Sequence, residues 1–325
     1  MASPAYLSLL PSGELARRAG ALAQRLTECC VCPRHCRSRR LDDKKAVCRT
    51  GRYAEVASWC LHRGEEPCLS GGGGSGTVFF AHCNLSCLFC QNTQISQGWE
   101  EGSAIKSPRE LAEIYLDLQR QGADNLNWVS PSHVVPQAVE ALLLAAERGL
   151  HLPLVYNSNG YDDQGTLRLL DGIVDIYLPD LKYANDGHAD ELSRAVGYVA
   201  NSQAALQEMG RQVGPLRLDE DGLAQRGLLV RHLVLPGGLS DTTEVLRFLA
   251  GALGRKLAVS LMAQYYPTGD AVDHAALGRT LTPTEWEEAL RALDASGLKE
   301  GYVQDLTAPD HYRPDFDREG HPFEE

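Results

Sequence analysis

Three cysteines, Cys83, Cys87 and Cys90, stand close together in a C-x3-C-x2-C motif. Thiolates at this spacing can bind three irons of a cubane iron–sulfur cluster, and the fourth iron is then left without a protein ligand. The motif directly follows a short apolar, β-rich run at Thr77–Ala81. We therefore expect the three thiols to lie together at the end of a strand.

The chemistry that an open iron favours is reductive cleavage of S-adenosylmethionine (SAM). The amino and carboxylate groups of its methionine part can chelate that iron. An electron from the cluster then splits the sulfonium C–S bond and gives a 5′-deoxyadenosyl radical, which the protein positions and shields. Three alternatives are a zinc site, an electron-transfer ferredoxin and buried structural cysteines. Zinc and ferredoxin sites normally need four protein ligands, and the adjacent His82 is badly placed to be the fourth.

A second set of cysteines precedes the first. Cys29, Cys32, Cys36 and Cys48 form a C-x2-C-x3-C-x11-C pattern, which is enough for one four-ligand site. An auxiliary iron–sulfur cluster and a structural zinc both fit, and reduced packed thiols are the third interpretation. We expect no secretory signal, because the N-terminus lacks a short apolar core. Clustered cysteines in a large, unexported chain favour metal over disulfides and predict a reducing, cytoplasmic location.

Composition limits the partners that we expect. The net charge of −12 disfavours nucleic acid, because a polyanion would be repelled on average. No apolar run approaches the roughly 18 to 20 residues that a membrane span needs. The 43% of hydrophobic residues and 23% of charged residues are typical of a soluble globular protein.

Strand and helix signals alternate from residue 77 onward. Ser107 with Glu110, and Thr282 with Glu285, predict two helix starts of the capping-box type. One long Ala-rich helix is expected within residues 188–209. Six or so β–α units with apolar strands indicate a parallel sheet covered by helices. A full or partial barrel and an open doubly wound sheet both fit, and in each the functional residues lie at the carboxyl ends of the strands.

Three regions are predicted: a separate cysteine-rich lobe at residues 1–70, the α/β body at residues 71–306 and a tail at residues 307–325. We expect the tail to wrap the body through aromatic side chains, namely Tyr312, Phe316 and Phe323. The glycine run at residues 71–76 lacks the Lys-Ser/Thr pair of a phosphate loop and precedes a strand instead of following one. We interpret it as a flexible hinge.

The segment C-N-L-S-C-L-F-C-Q-N, Cys83 to Asn92, resembles the cluster loop of radical SAM proteins related to pyruvate formate-lyase activating enzymes. The resemblance extends over roughly residues 25–320 and is closest to an uncharacterised branch of that family. The branch is marked by C-x2-C-P-R-x-C at Cys29–Cys36, H-R-G-E-E-P at His62–Pro67 and the segment Gly71–Phe80. The resemblance implies a partial parallel barrel of six β/α units, a [4Fe–4S] cluster and bound SAM. It also implies a flavodoxin- or ferredoxin-like electron donor.

The resemblance also implies cofactor-binding residues. Asp180-Leu181-Lys182 is similar to the family's D-L-K, whose carboxylate and amine help to hold SAM. Arg231, followed by Pro236-Gly237, is similar to an arginine near the cofactor carboxylate. Phe89 is similar to an aromatic residue near the adenine, and Ser158 is a further expected contact.

Two departures from the family pattern bear on the substrate. The G-G-E that receives the SAM amino group is replaced by Ser130-Pro131-Ser132-His133. Asn157-Ser158-Asn159-Gly160 stands where the activating enzymes carry D-T-N-G, so a bound cation of their type is in doubt. Both changes weaken the transfer of glycyl-radical activation more than they weaken SAM chemistry.

The predicted function is hydrogen abstraction from an unidentified substrate, with a glycine α-carbon of a partner protein as one version. The alternative is a non-catalytic iron–sulfur or zinc protein for electron transfer or assembly. Four polar residues are candidates to line a pocket at strand ends: His133, His232, Gln264 and Tyr265.

Overall fold

A computed structural model describes residues 3–308, 313–318 and 321–323 of the chain. The helices are α1 (Glu14–Gln24), α2 (Thr93–Ser96), α3 (Pro108–Arg120), α4 (Val135–Ala146), α5 (Gln164–Leu169), α6 (Asp186–Ser193), α7 (Tyr198–Val213), α8 (Thr242–Ala252) and α9 (Pro283–Ser296). The strands are β1 (Ala54–His62), β2 (Ser75–Phe80), β3 (Ile105–Lys106), β4 (Asn125–Val129), β5 (Leu154–Ser158), β6 (Ile176–Pro179), β7 (Arg217–Leu218), β8 (Ala224–Leu233), β9 (Ala258–Met262) and β10 (Glu300–Val303). None of the described helices combines the length and the apolarity needed to cross a bilayer.

The central strands are short, and both of their faces are covered. Every residue of β2, β4, β5, β6 and β9 is buried. In β4 the apolar Leu126 and Trp128 belong to the main core, whereas the alternate residues Asn125 and Asn127 are buried polar groups. These amides are held by hydrogen bonds, because Asn125 Oδ1 accepts from the Ser75 hydroxyl and Asn127 Nδ2 donates to Glu65.

Seven strands lie parallel and side by side in chain order: β2, β4, β5, β6, β8, β9 and β10. An open doubly wound sheet reverses its strand order at a switch point, and this run does not. The helices pack on one another in the same order, including α3 on α4, α5 on α7 and α8 on α9. The chain is therefore singly wound, as in a partial parallel barrel of six β/α units followed by β10, and the predicted α/β fold is confirmed.

Both predicted capping boxes are present. The Ser107 and Thr282 hydroxyls accept hydrogen bonds from the backbone N–H groups of Glu110 and Glu285, and each Glu carboxylate accepts the N-cap N–H in return. These local exchanges of hydrogen bonds fix where α3 and α9 begin.

The long helix predicted within residues 188–209 is present as α7, but it is shifted to Tyr198–Val213 and a separate helix, α6, precedes it. The chain forms α6 and α7 there, and the residues between them include Arg194 at φ +49° and Gly197 at φ +64°. Left-handed backbone cannot continue a right-handed helix, so the direction of the chain changes.

The glycine run predicted to be a flexible hinge is closely packed at Gly73 and Gly76, whereas Gly72 is exposed. A Cβ on Gly73 would stand 2.0 Å from the carbonyl oxygen of Gly122, and one on Gly76 would stand 2.6 Å from that of Asn125. Glycine is required because the backbone approaches its neighbours more closely than any side chain allows.

The N-terminal segment packs directly on the barrel. α1 contacts α4 and α5, and its buried Leu15 and Leu22 belong to the main core. β1 pairs antiparallel with β2, so that His62 at the end of β1 lies opposite Ser75 at the start of β2. The loop of residues 63–71, named the bottom loop here, therefore begins at the amino ends of the parallel strands.

Part of the C-terminal tail packs on the same edge of the sheet. The rings of Phe316 and Phe323 lie 5.2 and 6.1 Å from the ring of Phe79 in β2, and Phe323 stacks on His62 at 4.1 Å. Tyr312, the third aromatic residue expected to pack, lies outside the described residues.

Candidate functional site

A cavity of about 500 Å³ occupies the barrel interior between the carboxyl ends of the strands and the bottom loop. Residues far apart in the sequence meet in its wall. They come from the loop after β2, from the ends of β5 and β6, and from β8. The eight residues predicted to hold the cluster and SAM all line this cavity: Cys83, Cys87, Phe89, Cys90, Ser158, Asp180, Lys182 and Arg231.

Each of the three cysteine sulfurs in the cavity wall has a polar side chain beside it. The Asn159 Nδ2 group donates to Cys83 Sγ (3.4 Å), the Ser193 hydroxyl donates to Cys87 Sγ (3.0 Å), and the Ser96 hydroxyl lies 3.1 Å from Cys90 Sγ. Hydrogen-bond donors stabilise the thiolate, which is the form of cysteine that binds metal. The sequence does not predict these three partners, because Asn159 and Ser193 are distant in the chain and Ser96 approaches Cys90 only through the fold of the loop between them.

The electrostatics of the three thiols reflect their burial and their proximity. Burial, and to a lesser extent the neighbouring Cys87, raise the pKa of Cys83 to about 12. Burial also raises the pKa of Cys87 to about 11, although nearby Lys182 opposes this shift. The thiols are therefore protonated in the metal-free protein, and metal binding would release these protons.

Asp180 joins two largely buried cations at the ends of neighbouring strands. Its Oδ2 lies 2.6 Å from Lys182 Nζ, and its Oδ1 lies 3.0 Å from Arg231 Nε. Burial alone would raise the pKa of Asp180, but Lys182 and Arg231 outweigh it and hold the pKa below its ordinary value. The three side chains form one ionised network in the cavity wall.

The Arg231 guanidinium is engaged on three sides by protein groups. Besides Asp180, it donates to Asn157 Oδ1 at 2.7 Å and lies 3.7 Å from Glu65 Oε2. Its orientation is therefore fixed before any ligand binds.

Ser158 and Phe89 shape the wall between these groups. The buried Ser158 hydroxyl donates to Asp162 Oδ2 at 2.7 Å and accepts the backbone N–H of Gly160 at 3.2 Å. The Phe89 ring stands edge-on to the ring of Tyr183, with centroids 6.4 Å apart. Both side chains are held by their neighbours.

Of the four polar residues considered as pocket lining, Gln264 lines the cavity and the other three have structural contacts. The Tyr265 hydroxyl donates to the carbonyl of Leu277, and a ring nitrogen of His232 lies 2.6 Å from the carbonyl oxygen of Leu181. Burial lowers the pKa of His232 to about 4 and that of His133 to about 3, so both are neutral near pH 7. The expectation for these three residues is wrong because their side chains point into the packing.

Two ionisable cavity residues, Glu65 and Glu66, are not among the predicted site residues. They belong to the H-R-G-E-E-P motif and enter the cavity from the bottom loop. In the sequence this motif indicates only the family resemblance. Adjacent carboxylates ahead of a glycine run were the available signal, but their position depends on the antiparallel pairing of β1 with β2.

The four N-terminal cysteines lie near one another. The backbone folds back on itself, since the N–H of Cys29 donates to the carbonyl of Ser38 and the N–H of Arg37 donates to that of Cys29. Burial, together with the three neighbouring thiols of the set, raises the pKa of Cys32 to about 12. Within the described part of the chain, no three His, Cys, Asp or Glu side chains converge as they would around a single metal ion.

A buried cation lies beside these thiols. Arg40 is only 1% exposed, and its Nη1 donates to the carbonyl of His133 at 2.8 Å and lies 3.7 Å from Cys29 Sγ. Its Nη2 has no hydrogen-bond partner among the described residues. A buried guanidinium is stable only beside negative charge, which thiolates would supply.

The loops that carry the two cysteine sets adjoin. Arg34, between Cys32 and Cys36, donates through Nε to the carbonyl of Asn84 and through Nη2 to that of Arg194 at 2.7 Å. Asn84 directly follows Cys83, so Arg34 links the two cysteine loops by hydrogen bonds.

Comparisons with known proteins place the chain in a family. It is 30% identical over 276 residues to an uncharacterised protein of Methanocaldococcus jannaschii, MJ0674, and the alignment covers 83% of this chain and 75% of that protein. The chain belongs to the same family as this archaeal protein. No family model matches it.

Solved structures give more distant similarities. SuiB of Streptococcus suis shares 12% identity and a TM-score of 0.47 over 70% of this chain and 49% of its own, so the chain spans about half the length of SuiB. Methylornithine synthase (PylB) shares 14% sequence identity and a TM-score of 0.47, and the match covers 74% of this chain and 72% of that protein. The radical SAM methyltransferase TsrM of Kitasatospora setae shares 12% sequence identity and a TM-score of 0.42, and the match covers 71% of this chain and 52% of that protein.

Proposed function

We propose that this protein is a radical SAM enzyme, which cleaves SAM reductively and removes a hydrogen atom from a substrate in the barrel cavity. One observation carries the proposal. The C-x3-C-x2-C loop shares a single cavity with the Asp180–Lys182–Arg231 network, which lies at the ends of other strands. An electron-transfer protein would need no cavity of about 500 Å³ beside its cluster.

The side chains present fit a three-ligand cluster. Cys83, Cys87 and Cys90 would hold three irons of a [4Fe–4S] cluster, and the polar partners of their sulfurs would stabilise the thiolates. When bound, the cluster supplies the electron that cleaves the sulfonium bond of SAM and so provides a 5′-deoxyadenosyl radical. Lys182, oriented by Asp180, supplies positive charge toward an anionic group of the ligand. Phe89 and the other apolar wall residues keep water from the reacting atoms.

Two finer parts of the proposal rest on the resemblance of the cluster loop. The electron donor is a flavodoxin- or ferredoxin-like protein, and one candidate substrate is a glycine α-carbon of a partner protein. The soluble cytoplasm is the compartment in which such a donor would meet the enzyme.

The proposed function is tested by electron paramagnetic resonance. The anaerobically reconstituted, dithionite-reduced protein should give a [4Fe–4S] signal that changes when SAM is added, because the ligand occupies the open iron. A methylthioadenosine control, which lacks the amino and carboxylate groups, should leave the signal unchanged. A signal that is indifferent to SAM would favour a closed electron-transfer cluster.

A second metal group is proposed for Cys29, Cys32, Cys36 and Cys48. Their proximity and the unpartnered Nη2 of Arg40 support it, since a thiolate-bound metal would supply the missing negative charge. We expect the variant with all four replaced by Ser to lose about four irons or about one zinc per chain, measured by elemental analysis.

The matched control for this variant is the double replacement of Cys30 and Cys60 by Ser, which should keep the full metal content. The SAM-responsive signal should survive in both proteins. Equal metal content in the quadruple variant and the wild type would show that the four residues are ordinary packed thiols.

A further inference from the structure

The bottom loop brings two adjacent carboxylates into the cavity, and the proposed function leaves them without a role. Glu65 is well satisfied: its Oε1 accepts Asn127 Nδ2 at 3.0 Å and Asn157 Nδ2 at 3.5 Å, and its Oε2 lies 3.7 Å from Arg231 Nη1. The side chain is 8% exposed, so this pairing is fixed in the wall.

Glu66 differs from its neighbour. It lines the cavity, but its buried Oε2 has no hydrogen-bond partner among the described residues. A buried carboxylate oxygen without a donor costs on the order of 1–3 kcal/mol or more. Burial raises the pKa of Glu66 to about 6, with Arg231 opposing and Glu65 adding to the shift. At pH 7 the Glu66 carboxyl is therefore mostly ionised, and a cation or hydrogen-bond donor at Oε2 would stabilise it.

The charges in this part of the cavity do not balance. Three carboxylates, Asp180, Glu65 and Glu66, face two cations, Lys182 and Arg231. Lys182 is paired with Asp180, and the positive charge of Arg231 is shared among Asp180, Glu66 and Glu65. The site therefore holds one more negative than positive charge, and Glu66 Oε2 is the buried carboxylate oxygen in it that has no hydrogen-bond donor among the described residues.

We propose that the Glu65–Glu66 pair binds, through Glu66, a cationic group of a ligand in the cavity, either an ammonium or a guanidinium. The inference rests on the proposed function, because the Glu65–Glu66 pair would orient a ligand whose other end faces the Cys83–Cys90 loop. Two sources share this chemistry. One is a substrate that carries an amine or guanidine, and the other is the amino group of SAM, for which the chain lacks the expected G-G-E.

The test compares wild type with Glu66→Gln, which keeps the shape of the side chain and removes its charge. Reconstituted protein is titrated calorimetrically, at constant ionic strength, with n-butylammonium chloride, with n-pentanol as the neutral analogue, and with SAM. We expect Glu66→Gln to weaken n-butylammonium binding by roughly tenfold to a hundredfold, the effect of losing one charged hydrogen bond, and to leave n-pentanol unaffected. Glu220→Gln makes the same charge change at an exposed position and should behave as wild type.

The outcomes separate the sources. A loss confined to n-butylammonium assigns the site to the substrate, and a loss confined to SAM assigns it to the cofactor's amino group. Glu66→Asp, which keeps the charge, should retain the preference for the cation and so exclude a general packing defect. Equal affinities of wild type and Glu66→Gln for both ligands, or no binding of either, overturn the inference. Formation of 5′-deoxyadenosine by the wild type is measured separately, and its failure would contradict the proposed function alone.

Discussion

Replacement of Cys87 by Ala is expected to abolish the formation of 5′-deoxyadenosine from SAM. The proposed site has three protein ligands, so a variant with two cannot retain the cluster in its open form. Cys87 is buried and accepts a hydrogen bond from Ser193. Removing a group that only orients a metal ligand costs about 10–100-fold, so loss of the ligand itself should exceed about a hundredfold. The product is measured by chromatography of anaerobic reaction mixtures, alongside iron content.

Cys60→Ala is the matched control for this prediction. Cys60 is a buried cysteine of β1 that belongs to neither cysteine set. This variant should lose core packing but keep its SAM-cleaving activity. Substantial 5′-deoxyadenosine formation by Cys87→Ala would remove Cys87 from the cluster.

Asp180→Asn should have the second largest effect, because it leaves two cations of the cavity wall without their shared counter-charge. Removing one partner of a buried ion pair costs about 3–5 kcal/mol, and Asp180 interacts with both Lys182 and Arg231. We expect Asp180→Asn to lower the free energy of unfolding by about 3 kcal/mol, the lower end of this range, because the ion pair is partly open to the cavity. The free energy of unfolding, measured in urea on the reconstituted protein, checks this value. SAM affinity should fall by at least about tenfold, which corresponds to about 1.4 kcal/mol.

The electrostatic origin of this loss can be separated from packing. Lys182→Gln should lower the free energy of unfolding less in the Asp180→Asn variant than in wild type, because the carboxylate partner of Lys182 is already absent. The exposed pair of Glu244 and Arg247 is the control, and Glu244→Gln should change the unfolding free energy by less than about 1 kcal/mol. Equal costs for Asp180→Asn and Glu244→Gln would show that the network contributes nothing.

The sequence predicted those parts of the structure that depend on short-range patterns. Ser107 with Glu110 and Thr282 with Glu285 begin helices as expected, because a capping box is contained within four residues. The cluster motif is contiguous, so its position after β2 was also accessible. The residues at the strand ends of the cavity were found only through resemblance to a family.

The features that the sequence did not predict depend on contacts between segments that are distant in the chain. The position of Glu65 and Glu66 requires the pairing of His62 with Ser75, which no local pattern encodes. His133 follows β4 and His232 lies near the end of β8, where pocket residues are expected, yet both side chains are buried in the packing. The break between α6 and α7 needs left-handed backbone at Arg194, a residue with no intrinsic preference for it.

The measurement that most directly tests radical SAM activity is product analysis of the wild-type protein itself. Anaerobically reconstituted protein is incubated with SAM and dithionite, and the nucleoside and amino-acid products are quantified over time. We predict 5′-deoxyadenosine and methionine in equal amounts, formed slowly in the absence of substrate and only when the cluster is present. Unchanged SAM, in the presence of a fully assembled and reduced cluster, would contradict the proposed function.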